Sequence, residues 1–276
     1  MVHYEEHAPP IELAPIADCF WSLRADPGPD AGAVERVIPD GCAEIIVQLG
    51  DRFVEVAASG GDGTLQPRAF VVGPLSRGLA LRPLGRVLTF GIRIRPQAIG
   101  RVLGDAAHRF QDRVEPIDSV FGRRGLDLAT ALGSARDDAA RFVAATDFLK
   151  TVLAAMPRRD RRVDAAVRAL VGAGGLLRVE DLAAQTGIGR RSLERSFRDE
   201  VGVTPKTLAR IVRFRALIDD LRSRPERGFA SLALHRGYYD QAHLVRDFRV
   251  FAGRTPREFA HDEGILSACF APSSRL

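Results

Sequence analysis

Two periodicities divide the chain. Up to residue 95 the apolar positions fall in short, β-branched or alternating runs: VERVIP (34–39), AEIIVQLG (43–50), RFVEVAA (52–58), AFVVG (69–73), LALRP (79–83) and RVLTFGIRI (86–94). Between them lie DPGPDAG, SGGDGTLQP and GPLSRG, which are turn chemistry. This spacing predicts a barrel or sandwich. From Pro96 the period becomes helical, first in PQAIGRVLG and LDLATALG, then from Ala135 to Met156, where Phe142, Val143, Phe148, Leu149, Val152 and Leu153 recur at helical intervals. MPRRDRR (156–162) is polar, contains a proline and predicts a linker. The division is a first domain over 1–156, a second over 157–263 and a tail over 264–276.

Past the linker every pattern is helical. VDAAVRALV (163–171) ends at GAGG, VEDLAAQT (179–186) ends at Gly187, and RRSLERSFRDEV (190–201) ends at Gly202. Thr204 offers an N-cap hydroxyl and Pro205 suits the first helical position, so PKTLARIVRFRALIDDLRS is predicted as one long helix. SLALHR (231–236), DQAHLVRDFRVF (240–251) and a short helix from Pro256 follow.

These helices repeat. Leu182-Ala183 and Gly187 return 50 residues later as Leu232-Ala233 and Gly237. Leu193, Arg195, Phe197, Arg198, Gly202, Thr204 and Pro205 return 51 residues later as Leu244, Arg246, Phe248, Arg249, Gly253, Thr255 and Pro256. Each unit is a short helix, a glycine turn and a second helix. The apolar stripe is Ala183, Leu193 and Phe197 in one unit, and Ala233, Leu244 and Phe248 in the other. The opposite face carries Arg190, Arg191, Glu194, Arg195 and Arg198 in the first, and Gln241, Ala242, Val245, Arg246 and Arg249 in the second. That is a helix-turn-helix pattern, whose second helix enters the DNA major groove. Arginine can pair bidentately with guanine and glutamine with adenine. Two units joined by a stiff helix could reach successive grooves about 34 Å apart.

Charge sharpens this division. Residues 1–156 hold 17 Lys and Arg against 20 Asp and Glu, whereas 157–263 hold 22 against 15. The basic excess lies with the repeat, pointing to a polyanionic partner for that half. Hydrophobic content of 46% and charged content of 27% describe a soluble globular protein. There is no apolar run long enough for a membrane span and no secretory signal pattern. Cys19, Cys42 and Cys269 form no CxxC pair, which fits the cytoplasm.

LAAQTGIGRRSLERSFRDEVGVTP, the long helix, and GYYDQAHLVRDFRVFAGRTP together resemble the DNA-binding domain of AraC/XylS-type transcription regulators. The resemblance runs from about 161 to 259. It implies a seven-helix domain that binds double-stranded DNA at a promoter or operator. Carried over by position, Arg191, Glu194 and Arg195 of the first recognition helix face bases or phosphates, as do Gln241, Ala242, Val245 and Arg246 of the second. Two positions depart from the pattern: Gly189 replaces the usual capping Ser, and Ser231 stands where an acidic residue is common. Arg195 and Arg246 have an alternative role in clamping phosphate or pairing internally. His243 reads as a buried, hydrogen-bonded ring or a phosphate contact.

CFW (19–21), RVIPDGCAEIIVQLGD (36–51), VVGP (71–74) and GIRIRP (91–96) resemble the cupin-like N-terminal domain of a subgroup of these regulators. The resemblance implies binding of a small-molecule effector or homodimerisation. Alternation sets Glu44, Ile46 and Gln48 on one strand face and Arg93 with Arg95 on another. Those faces point either to solvent, the commoner fate of charged strand positions, or into a barrel as a polar pocket. Trp21 reads as core or barrel-mouth packing, Asp40-Gly41 as a turn, and Cys42 as a small buried residue or a redox or ligand contact. The effector candidates are Trp21, Cys42, Glu44, Gln48 and Arg93.

Enzyme chemistry finds no foothold. His3, His7 and His108 are expected outside the strands, which leaves no cupin-type metal site. GxSxG, P-loop and GxGxxG patterns are missing from suitable contexts. The three cysteines are too scattered for zinc-dependent methyl-transfer repair. The expected fold is α+β, with a β-rich first domain carrying helices and an all-α second domain with two helix-turn-helix units. The expected function is sequence-specific transcription regulation, without catalysis, cofactor, metal or membrane. The alternative is an architectural DNA-binding protein whose first half only oligomerises.

Overall fold

The computed structural model describes residues 2–26, 33–56, 63–104, 106–156, 161–224 and 229–259. Ten strands precede or interleave with the first helices: β1 (Val2–His7), β2 (Ala17–Ala25), β3 (Glu35–Val37), β4 (Ala43–Gln48), β5 (Phe53–Glu55), β6 (Thr64–Leu65), β7 (Ala69–Val72), β8 (Leu79–Pro83), β9 (Val87–Ile94) and β10 (Val114–Pro116). They form a six-stranded sheet, β1-β2-β9-β4-β7-β10, and a four-stranded sheet, β3-β8-β5-β6. All six predicted runs contain a strand, although Ala57 and Ala58 of RFVEVAA lie outside the described residues. β1, β2, β6 and β10 were not predicted, and β10 interrupts the region expected to be helical throughout.

The inner strands of the six-stranded sheet, β2, β9, β4 and β7, are largely buried on both faces. Phe20, Ile45, Val47, Val71, Phe90, Ile92 and Ile94 point to a core built with α1 (Ile99–Leu103), α2 (Ile117–Phe121), α3 (Arg123–Ser134) and α4 (Asp138–Ala154). Cys19, Trp21, Leu23 and Val87 point the other way, to Phe53 and Leu81 of the smaller sheet. A strand covered on both sides needs no polar face, so β2 and β9 read as near-continuous apolar runs. Trp21 is paired across the ladder with Gly91. A Cβ there would collide with the indole, so glycine makes the room the ring occupies.

The second half is all helix: α5 (Arg161–Gly172), α6 (Val179–Thr186), α7 (Arg190–Glu200), α8 (Pro205–Ser223), α9 (Phe229–His235), α10 (Gln241–Phe251) and α11 (Pro256–Phe259). That is the seven-helix count the resemblance implied, among the described residues. Arg161 and Arg162 belong to α5 rather than to the linker, and residues 157–160 lie outside the described residues, as do the tail and Cys269. α8 runs 19 residues, roughly 28 Å at 1.5 Å per residue. Thr204 caps it, its Oγ1 accepting the Thr207 N–H at 3.1 Å, and Pro205 occupies the first turn. Ser231 lies inside α9, which starts two residues earlier, so it caps nothing.

Each helix-turn-helix unit has its own apolar core. Leu182, Leu193, Phe197, Val201 and Leu208 close the first. Leu232, Leu244, Phe248 and Phe251 close the second, together with Phe214 and Ile218 of α8. Thus α8 contributes its first turns to one unit and its remainder to the other. No helix among the described residues is long and apolar enough to cross a membrane.

Candidate functional site

The second helix of each unit, α7 or α10, buries its apolar stripe and leaves the predicted face open. Arg190, Arg191, Arg195 and Arg198 are exposed and Glu194 half-buried; Gln241, Ala242, Arg246 and Arg249 are exposed and Val245 half-buried. The arginines are not equivalent. Arg190 is held by Glu180 at 3.0 Å and by Glu194 at 3.1 Å. The side chains of Arg191, Arg195, Arg198 and Arg246 make no hydrogen bond or ion pair among the described residues. Internal pairing is therefore not the role of Arg195 or Arg246 here. Their charge is available to a polyanion, while that of Arg190 is largely neutralised.

The units differ in how they are held. Gly189 gives α7 no side-chain cap, whereas Asp240 caps α10, its Oδ1 accepting the His243 N–H at 2.6 Å. Asp247, fully buried in α10, accepts from Arg210 Nη2 at 2.6 Å, Arg210 Nε at 3.2 Å and Tyr238 Oη at 3.2 Å. His243 lies beside this group, its ring 5.0 Å from that of Tyr238, and is partly exposed rather than fully buried. Arg236 donates to Asp220 at 2.6 Å, and that hydrogen bond holds the Asp220 carboxyl below its ordinary range. Two ion pairs therefore lock the second unit to α8. At the positions of Tyr238 and Asp247 the first unit has Ile188 and Ser196, so the polar joint belongs to one unit only. Asp247 and Arg210 were not singled out from the sequence; this asymmetry between the repeats was the signal for them.

Between the two sheets lies a cavity of about 70 Å³. Trp21, Cys42, Glu44, Ile46 and Gln48 line it, so the alternating polar face of β4 points inward, not to solvent. Both Glu44 oxygens are engaged: Oε2 accepts from Trp21 Nε1 at 2.9 Å and Oε1 from Arg93 Nε at 2.9 Å. Arg93 stands behind Glu44 rather than in the lining, and also donates to Glu6 at 3.1 Å. Arg95 follows the strand and pairs with Asp18 at 2.9 Å. Burial lifts the Glu44 carboxyl above its ordinary range despite the Arg93 guanidinium. Burial also pushes the Cys42 thiol well up, away from the thiolate that redox chemistry requires. His3 and His7 lie within β1, contrary to expectation, but His7 packs on Phe142, with 4.0 Å between ring centroids.

The cavity wall and the helical half share residues. Asp40 Oδ1 accepts the Cys42 N–H at 2.9 Å, closing the predicted turn, and Gly41 adopts a φ of +86°. A Cβ on Gly41 would come 2.6 Å from Leu208 of α8. Ile38 lines the cavity and also belongs to the core of the second unit. Leu75 lines the cavity next to Pro74, which would meet a Cβ on Gly202 at 2.5 Å. Three residues on, Gly78 N–H donates to Val250 O of α10 at 2.9 Å. Two wall segments, 37–42 and 72–78, thus reach both units.

Comparison with known proteins finds two family models along the chain. Residues 5–116 match the domain of unknown function DUF6597, and residues 182–262 match a helix-turn-helix domain. No curated protein matches the chain in sequence. Among solved structures, ToxT from Vibrio cholerae is similar at 12% identity and a TM-score of 0.47, over 83% of this chain and 96% of that one. ToxT with a bound unsaturated fatty acid matches at 13% identity and a TM-score of 0.41, over 94% of each chain. The AraC-like transcriptional activator CuxR matches at 15% identity and a TM-score of 0.29, over 86% of this chain and all of that one. Residues 182–262 of this chain are thus a helix-turn-helix domain.

Proposed function

We propose that this chain is a sequence-specific transcription regulator of the AraC type, acting in the cytoplasm. Its two helix-turn-helix units read successive major grooves of promoter DNA, and the cavity of its first domain holds a small-molecule effector. The observation that carries the DNA reading is the contrast among arginines. Arg191, Arg195, Arg198 and Arg246 are left without an internal partner on two recognition faces held by one helix. Such cations neutralise phosphates and pair with base edges, so affinity falls steeply with salt. Trp21, Cys42, Glu44 and Gln48 are the effector-site side chains, with Arg93 holding Glu44 from behind.

Effector control needs a ligand that favours one arrangement of the domains over another. The shared wall supports this reading, because a molecule pressing on Ile38 or Leu75 presses on segments that seat the second and first units. No catalytic step is assigned. The test is selection of binding sites from random duplex DNA by the full-length protein at physiological salt. The expected result is one enriched motif with two readable patches about one helical turn apart. Binding without enrichment, lost uniformly as salt rises, refutes sequence reading.

A further inference from the structure

The polar groups around the cavity are nearly all committed. Glu44 is bonded through both oxygens, Gln48 Nε2 donates to Gln66 Oε1 at 2.9 Å, and Gln48 Oε1 accepts the Phe53 N–H at 3.1 Å. Asp40 closes its own turn through Cys42. Of the fully buried side-chain oxygens and nitrogens in the described lining, Thr89 Oγ1 alone is without a partner. The residue is 4% exposed. A buried hydroxyl left without a partner calls for an explanation, and a ligand group at that point supplies one.

Charge and size narrow the class. Among the described residues neither lysine nor arginine lines the cavity, and Arg93 is spent on Glu44, on Glu6 and, at 3.6 Å, on Asp40. A carboxylate would enter beside Glu44 and Asp40 with no cation to meet it. An ammonium would lose its hydration against Leu23, Phe53, Phe70 and Leu81 and find the Glu44 oxygens already bonded. The volume of about 70 Å³ lies between the roughly 10–15 Å³ that admits one water and the roughly 150 Å³ that admits benzene.

We propose that the cavity takes a compact, uncharged, mainly apolar molecule bearing one hydrogen-bonding group, and that Thr89 Oγ1 meets that group. The proposal rests on reading the first domain as the sensor. Trp21 is the single tryptophan and forms part of the wall, so its emission reports occupancy directly. The experiment titrates the full-length protein with three probes sharing one two-carbon skeleton, small enough for the cavity: ethanol, acetate and ethylammonium. The alcohol is expected to shift Trp21 emission saturably, at a concentration about tenfold or more below either ion. Thr89→Val should raise the alcohol's half-saturation about three- to tenfold, the span of one hydrogen bond, and Thr89→Ser should restore it. An ion saturating as readily as the alcohol, or a Thr89→Val protein that binds unchanged, overturns the assignment and leaves the sensory reading standing. No saturable change with any of the three removes the cavity as a ligand site, and the sensory reading with it.

Discussion

Replacing Arg210 by alanine should unseat the second helix-turn-helix unit while leaving the first in place. Asp247 is fully buried, and its carboxylate is balanced by Arg210 at 2.6 and 3.2 Å, with Tyr238 Oη at 3.2 Å as its remaining hydrogen-bond donor. Without Arg210 the charge stays buried beside the Tyr238 hydroxyl and the His243 ring, 4.0 Å away, which costs about 3–5 kcal/mol. The truncation also removes a guanidinium 5.1 Å from the Phe251 ring, worth about 0.5–1 kcal/mol. Asp247→Ala should be milder, about 1–3 kcal/mol, because the Arg210 side chain is 30% exposed and can turn to water. Removing both charges together, as Arg210→Met with Asp247→Leu, leaves no charge buried and unpaired, only the Tyr238 hydroxyl without its acceptor. The double variant should therefore be at least as stable as the worse single one by about 2 kcal/mol. Native-state hydrogen exchange resolves the unit: α10 amides should exchange about a hundredfold faster or more in Arg210→Ala, with α6 and α7 amides unchanged. A change below about 1 kcal/mol in α10, or a double variant as damaged as the single, would refute the reasoning.

Three further outcomes follow from the same geometry. Arg195→Ala and Arg246→Ala should each weaken DNA binding by about 1–3 kcal/mol if they meet bases, or lower the salt slope by about 0.9 if they meet phosphate. Arg190→Ala, whose charge Glu180 and Glu194 already balance, should do neither; quantitative binding against salt concentration distinguishes them. Ile38→Ala should change both Trp21 emission and DNA affinity, because Ile38 belongs to the cavity wall and to the second unit's core, whereas Leu23→Ala, on the wall alone, should change emission only. Asp220 has its carboxyl held down chiefly by the Arg236 hydrogen bond, so its contribution to stability is whole above the ordinary Asp value of about 3.9 and is lost as pH falls through the depressed one. An acid titration of helical ellipticity should accordingly be shallower in Asp220→Asn.

How much could be read in advance depended on which faces were buried. A helix with one buried side keeps its period, so α6, α7, α8 and α10 match the predicted segments to within a residue, and the glycine turns mark their ends. β2 is covered on both faces, loses its alternation and was missed as a strand. For the same reason β4 suggested two opposite orientations for Glu44 and Gln48, since a single strand does not reveal that a second sheet closes over its polar side. β1 is an edge strand with polar and charged residues on both faces, so His3 and His7 were placed outside the strands. The recognition residues were legible because they sit on repeated helices; Arg210 and Asp247 were not, being 37 residues apart and of a kind usually exposed. Thr89 carried no signal at all, because only the packing of the two sheets shows that its hydroxyl lacks a partner.

The central claim is that one chain reads two adjacent major grooves. Hydroxyl-radical footprinting of the full-length protein on its selected duplex tests it most directly, with stoichiometry measured on the same complex. Two protected patches on one face, about 10–10.5 base pairs apart, at one protein per duplex, with the distal patch lost in Arg246→Ala, is the predicted result. One patch per bound chain, or two that appear only when a second chain binds, would contradict it.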